Sequence, residues 1–123
     1  MLAFLWISLG AIVGANARYW ISSYAGRLSA AFPYGTLVIN ASGSFVLGFF
    51  MIWTTERVLV DPRWRLLLAV GFCGAYTTFS SYAFETMAYL EQGQWGLLFT
   101  NLLANNLLSL GAVLAGMALA RVL

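Results

Sequence analysis

The sequence contains no histidine, no lysine and a single cysteine, and each scarcity removes a class of function. Without histidine the commonest general base and metal ligand is missing. Cys73 alone cannot close a disulfide or build a thiolate metal site within one chain. All basic residues are arginine, at positions 18, 27, 57, 63, 65 and 121, and the acids are Glu56, Asp61, Glu85 and Glu91. A net charge of +2 scattered over these positions forms no basic stripe with which to neutralise a run of phosphates, so no nucleic acid is expected as a partner.

Charge is the deepest shortage. Only 8% of the 123 residues are charged and 62% are hydrophobic, against roughly 25% charged in an average soluble domain. A soluble domain this small could not hide so much apolar surface. Lipid is therefore the expected solvent, and the lipid bilayer the expected surroundings.

What is present is a set of long uncharged stretches, at 1–17, 28–55, 66–84 and 92–120. A helix needs about 20 residues at 1.5 Å each to cross the hydrocarbon core, and each stretch reaches that length or approaches it with its flanks. The expected fold is an all-α membrane protein in which one domain, 1–123, carries four transmembrane helices at approximately 2–21, 34–54, 66–89 and 95–120.

Pro33 precedes the second span and Asp61-Pro62 the third, where proline suits a first helical turn. Gln92-Gly93-Gln94 forms the third connection. Trp20, Tyr24, Trp53, Trp64, Tyr89 and Trp95 lie near span ends, as an aromatic belt requires. The amino terminus lacks a basic region and a small-residue cleavage site, so its apolar run reads as a retained span. An even number of spans places both termini on one side, with Arg57, Arg63, Arg65 and Arg121. Arg18 and Arg27 fall on the other. This bias is weak and favours cytoplasmic termini only slightly.

The polar residues inside the spans carry most of the functional information. Residues four apart share a helix face. Thr36, Asn40, Ser44 and Gly48 recur at that spacing in span two, and Asn101, Asn105 and Ser109 in span four. One reading makes them glue, because Ser, Thr and Asn hydrogen-bond between membrane helices for about 0.6 to 2 kcal/mol each. Two whole stripes exceed what glue requires, since an unneeded buried amide costs stability. A hydrated or ion-bearing track explains the set better.

Gly10 and Gly14 in span one have the small-xxx-small spacing of close helix packing. Arg18, on the same face, is either a snorkelling residue or a positive charge at a vestibule. Span three is unusual: Gly71-Phe72-Cys73-Gly74-Ala75-Tyr76-Thr77-Thr78-Phe79-Ser80-Ser81-Tyr82 places glycines and hydroxyls at mid-membrane. One reading is a glycine kink for packing. The other is a helix broken near its middle, tolerated where protein or water shields it, with freed carbonyls able to coordinate a small cation.

Gly35-Thr36-Leu37 running into Asn40 and Gly43, followed by Gly71-Phe72-Cys73-Gly74 running into Thr77-Thr78-Phe79-Ser80 and Glu85, resembles the Fluc (CrcB-type) fluoride channels over nearly the whole chain. The resemblance implies an antiparallel, dual-topology homodimer in the inner (plasma) membrane, with two pores for the fluoride ion. It also implies a structural Na+ at the dimer interface, held by the main-chain carbonyls of Gly74 and Thr77 from each copy. By the same resemblance Asn40 is the amide donor of the pore and Phe79 the aromatic that meets the ion. Thr36, Asn101, Asn105 and Ser109 extend the polar track, and Arg18 stands near a vestibule. Tyr82 replaces a phenylalanine common in the family, and Ala75 the second glycine of a Gly-Gly pair.

The chemistry fits such a role. A selective pore must replace fluoride's tightly held water with closely spaced donors, which amides and hydroxyls supply. An aromatic ring meets an anion with its positive edge. Basic groups deep in the path would trap the ion, because conduction needs release as well as entry. Three other classes compete. A small multidrug-type antiporter would need an embedded carboxylate, for which Glu85 is the candidate. An assembly subunit would use the stripes for adhesion alone. An enzyme has no constellation to work with, Glu85 having no histidine, cysteine or second carboxylate beside it within the spans.

Overall fold

The computed structural model describes residues 2–123, with Met1 outside that range, and its elements are helical throughout. Helix α1 is Leu2–Gly26. Helix α2 runs Tyr34–Arg57, α-helical to Ile52 and closed by a wider π turn, Trp53–Arg57. Helix α3 covers 62–76: an α turn Pro62–Arg65, a π-helical stretch Leu66–Cys73 and a last turn Gly74–Tyr76. Helix α4 is Phe79–Glu91 and α5 is Trp95–Val122. With α3 and α4 taken together as Pro62–Glu91, four segments are long and apolar enough to cross a membrane, with mean hydropathy of 1.3 to 1.7. The protein is an all-helical, multi-pass membrane protein.

The ends of the helices follow from local chemistry. Asp61 caps α3 by accepting the Arg63 N–H at 2.9 Å, with Pro62 supplying a fixed φ in the first turn. Gly93, at φ 68°, closes α4: its N–H reaches the Leu90 carbonyl and the Gln94 N–H reaches that of Tyr89, satisfying two carbonyls the helix end leaves free. Arg65 donates to the Thr54 carbonyl and the Thr55 hydroxyl, both at 3.0 Å, and so holds the π turn that ends α2.

Glycines decide which helices touch. Gly10 and Gly14 of α1 are buried against the backbone of Leu67 and Phe72, and Gly71 of α3 against that of Ile7. A methyl group at any of the three would run into main chain. On the other side of the bundle, Gly48 of α2 and Gly116 of α5 are buried against the backbones of Val113 and Phe45. The fourth position of the span-two stripe is thus a packing contact. The bundle consists of two glycine-seamed pairs, α1 with α3 and α2 with α5. Gly35, seated on the backbone of Ser22, joins the pairs through α1 and α2.

The outer surface is apolar. Phe4, Ile12, Val70, Phe84, Leu107 and Leu114 each expose more than half of their surface, an arrangement suited to lipid, where apolar side chains meet a solvent like themselves. Between α3 and α4, Thr77 and Thr78 take extended backbone, at φ −82°, ψ 158° and φ −148°, ψ 112°. Those two residues organise the site.

Candidate functional site

In a continuous helix the Thr78 N–H would donate to the carbonyl of Gly74. It donates instead to Asn40 Oδ1 at 2.8 Å. The Ser81 N–H, which would serve the carbonyl of Thr77, goes to the Thr78 hydroxyl at 3.2 Å, and Thr78 thereby caps α4. Neither the Gly74 nor the Thr77 carbonyl has its i+4 partner. Thr77 is anchored at its own end, its N–H and hydroxyl both reaching the Cys73 carbonyl at 3.1 and 2.9 Å.

Asn40 clamps the extended backbone at both polar groups of Thr78. While Oδ1 accepts from Thr78 N–H, Nδ2 donates to the Thr78 carbonyl at 3.0 Å and to Asn105 Oδ1 at 3.1 Å. The Thr78 N–H fixes which way round the amide lies. Both Asn40 hydrogens are engaged inside the chain.

From Asn40 the donors pass along one line. Asn105 Nδ2 donates to Asn101 Oδ1 at 2.8 Å, Asn101 Nδ2 to the Thr86 hydroxyl at 3.0 Å, and Thr86 to the Tyr82 carbonyl at 2.7 Å. Asn101 and Asn105 are buried, at 0% and 4% exposure. Replacing Asn101 by leucine therefore strands the Asn105 donor and removes the bond that the Thr86 hydroxyl accepts, while Thr86 keeps its own donation to the Tyr82 carbonyl. The expected result is a loss of about 1 to 3 kcal/mol, read as a lowered unfolding temperature in detergent.

The stripes of α2 and α5 meet the start of α4 around a cavity of about 280 Å³. Asn40, Phe79, Tyr82, Asn105 and Ser109 line it, together with Ser44 and Thr77. Phe79 is 77% exposed, and its ring lies 5.4 Å from that of Tyr82 at 64°, edge toward face. No charged side chain lines this cavity.

The other residues singled out in the sequence lie elsewhere. Thr36 donates to Glu85 Oε1 at 2.6 Å, beyond the Asn40 end of the stripe; Glu85 lines a second cavity, of about 350 Å³, near the α1–α2 connection. Asn101 belongs to the amide line but not to the cavity wall. Arg18 is half-buried on α1 and borders neither cavity. Gly74 is exposed, and a carbon added there would meet only the Ala69 carbonyl, at 4.0 Å. Asn106 lines the cavity and was not singled out, because a strict four-residue spacing passes from Asn105 to Ser109. Its signal is a second amide directly beside Asn105 in a span that is mostly apolar. Thr86 and Thr78, the partners at either end of the amide line, carried no periodic signal.

The class this arrangement defines is a polytopic membrane protein whose apolar bundle carries an uncharged cavity, set with amide and hydroxyl side chains, beside unwound backbone. Residues 5–117 match the family described as CrcB-like protein, Camphor Resistance (CrcB), and the chain belongs to that family. It is 62% identical over 119 residues to the fluoride-specific ion channel FluC of Koribacter versatilis (strain Ellin345), covering 96% of this chain and 94% of that one. It is 43% identical over 121 residues to the fluoride-specific ion channel FluC of Sulfurihydrogenibium sp. (strain YO3AOP1), covering 98% of each. The family is one of ion channels, not of enzymes.

Proposed function

We propose that this protein is a fluoride-selective channel that lets the ion leave the cell passively and so confers fluoride resistance. The observation that carries the reading is the cavity itself, where amide and hydroxyl groups of α2 and α5 converge on the rings of Phe79 and Tyr82 with no charge among them. Fluoride needs donors to replace its water, and a wall without arginine can release what it binds. Asn40, Asn105 and Ser109 act as the central donors, Phe79 and Tyr82 present ring edges, Thr36 and Asn101 continue the track, and Arg18 sits toward a vestibule. A negative cell interior drives the anion outward at about 2.3 kcal/mol per charge per 100 mV.

The working unit in this reading is an antiparallel homodimer with two pores, inserted in both orientations in the inner membrane. Two features support it. The arginine bias between the two sides is weak, and the polar faces of four short helices need a second copy to enclose a path. The interruption at Thr77 and Thr78 serves as the functional break of the third span. A structural sodium ion fits there, because the Gly74 and Thr77 carbonyls lack their helical donors and Gly74 leaves room for a close approach. Hard oxygen donors suit such a cation. No group of three or more His, Cys, Asp or Glu side chains among the described residues could hold a metal.

Fluoride and chloride efflux from liposomes holding the purified protein, with an ionophore to dissipate charge, tests the proposal. Fast fluoride release with chloride retained is expected, and no release from folded protein overturns it. Proton-coupled exchange, which would centre on Glu85, predicts instead a flux that follows the pH gradient and is lost in Glu85→Gln. Phe79→Ile removes an exposed positive ring edge and should slow fluoride efflux by roughly twofold to tenfold, matching the 0.5 to 1.5 kcal/mol of an aromatic contact. An unchanged rate would remove Phe79 from the path.

A further inference from the structure

Tyr82 holds one hydrogen-bond donor that none of the described residues accepts. Its phenol oxygen accepts from Asn106 Nδ2 at 2.9 Å. The same Asn106 nitrogen gives its other hydrogen to the Leu102 carbonyl at 2.7 Å, one turn back on α5, so the amide is held at a fixed orientation. Among the described residues no acceptor faces the Tyr82 O–H proton. The residue is 7% exposed and lines the cavity beside Asn40, Phe79 and Ser109. A donor largely withdrawn from bulk solvent favours a partner inside the cavity.

Asn40 stands in contrast, with both of its amide hydrogens committed. A phenol proton lies near the ring plane and has two positions there. A hydrogen bond received from Asn106 on one side leaves the proton on the other. Receiving that bond also strengthens the phenol as a donor, because linked hydrogen bonds polarise one another.

We propose that the Tyr82 hydroxyl is an anion-recognising donor of the cavity and that Asn106 is the residue that positions it. The ligand is a small anion with strong acceptor character, which is fluoride under the channel reading above, on which this assignment rests. A family position commonly filled by a bare ring edge thus gains a hydroxyl donor here, supported from α5.

The experiment compares fluoride efflux from liposomes for the unmodified chain, Tyr82→Phe, Asn106→Leu and the double variant, at equal amounts of protein that elutes as the unmodified chain does. Tyr82→Phe keeps the ring and removes the donor, and efflux should fall roughly tenfold, the scale of one hydrogen bond to a charged group. Asn106→Leu should slow efflux severalfold when Tyr82 is present and have no further effect when Phe replaces it, because Asn106 acts through the hydroxyl. A general packing defect would slow both backgrounds alike. Undiminished efflux in Tyr82→Phe, or an equal Asn106→Leu effect in both backgrounds, overturns the assignment alone. An unmodified chain that releases no fluoride overturns the channel reading and this assignment with it.

Discussion

Asn40→Asp is expected to end the fluoride efflux proposed for this protein. The substituted carboxylate keeps the oxygen that accepts the Thr78 N–H, so the extended backbone between α3 and α4 retains that tie. The two N–H donors are replaced by an oxygen facing the Thr78 carbonyl and Asn105 Oδ1. A negative charge then stands where an anion should pass. Two like charges 4 Å apart repel by about 4 kcal/mol at an effective dielectric of 20, which corresponds to about a thousandfold in rate. A fluoride electrode should read a flux no greater than that of protein-free vesicles, from protein whose elution is unchanged. Efflux within a few-fold of the unmodified protein would take Asn40 out of the path.

The second large effect concerns stability. Gly116→Leu should cost about 3 kcal/mol or more, at or above the upper end of ordinary overpacking. A Cβ at this position meets the Phe45 carbonyl and comes within 2.9 Å of the Phe49 nitrogen, and neither backbone atom can turn aside as a side chain would. The α2–α5 seam must open, carrying Asn40 away from Asn105. Gly111→Leu is the matched control, since nothing lies within 4 Å of its added carbon. Thermal unfolding in detergent should show a marked loss for the first variant and little change for the second. Equal stability of the two would show that the seam is not where the bundle is held.

The helices were legible in the sequence because membrane thickness imposes a length and the scarcity of charge marks the ends. Pro33, Asp61-Pro62 and Gly93 are local signals, and each sits at a helix boundary in the structure. The π-helical stretch Leu66–Cys73 was not legible. Its leucines, alanine and valine suit an α-helix equally well, and its wide turns appear only where α3 lies against Gly10 and Gly14. The stripe of Asn101, Asn105 and Ser109 could be drawn from spacing alone. Its coupling to Asn40 is a contact across 65 residues of sequence, which periodicity within one helix does not encode. Gly48 shows the opposite error, sharing the period of a polar stripe while serving as a seat for Val113. Asn106 escaped because it stands beside the stripe, and only the position of Tyr82 on another helix gives it a role.

Under the channel reading proposed above, the clamp on Thr78 bears on how an anion would cross the cavity. Asn40 spends both amide hydrogens on neighbouring oxygens of its own chain. An anion arriving there would take part in an exchange, displacing an internal acceptor as it binds and returning the hydrogen as it leaves. A hydrogen bond to an ion is roughly twice as strong as one between neutral groups, so the exchange runs forward on entry. The displaced oxygen stays close enough to reclaim the donor, which lowers the barrier to departure. In that channel reading, Asn40 would thus contribute to both selectivity and speed without ever being left unpartnered.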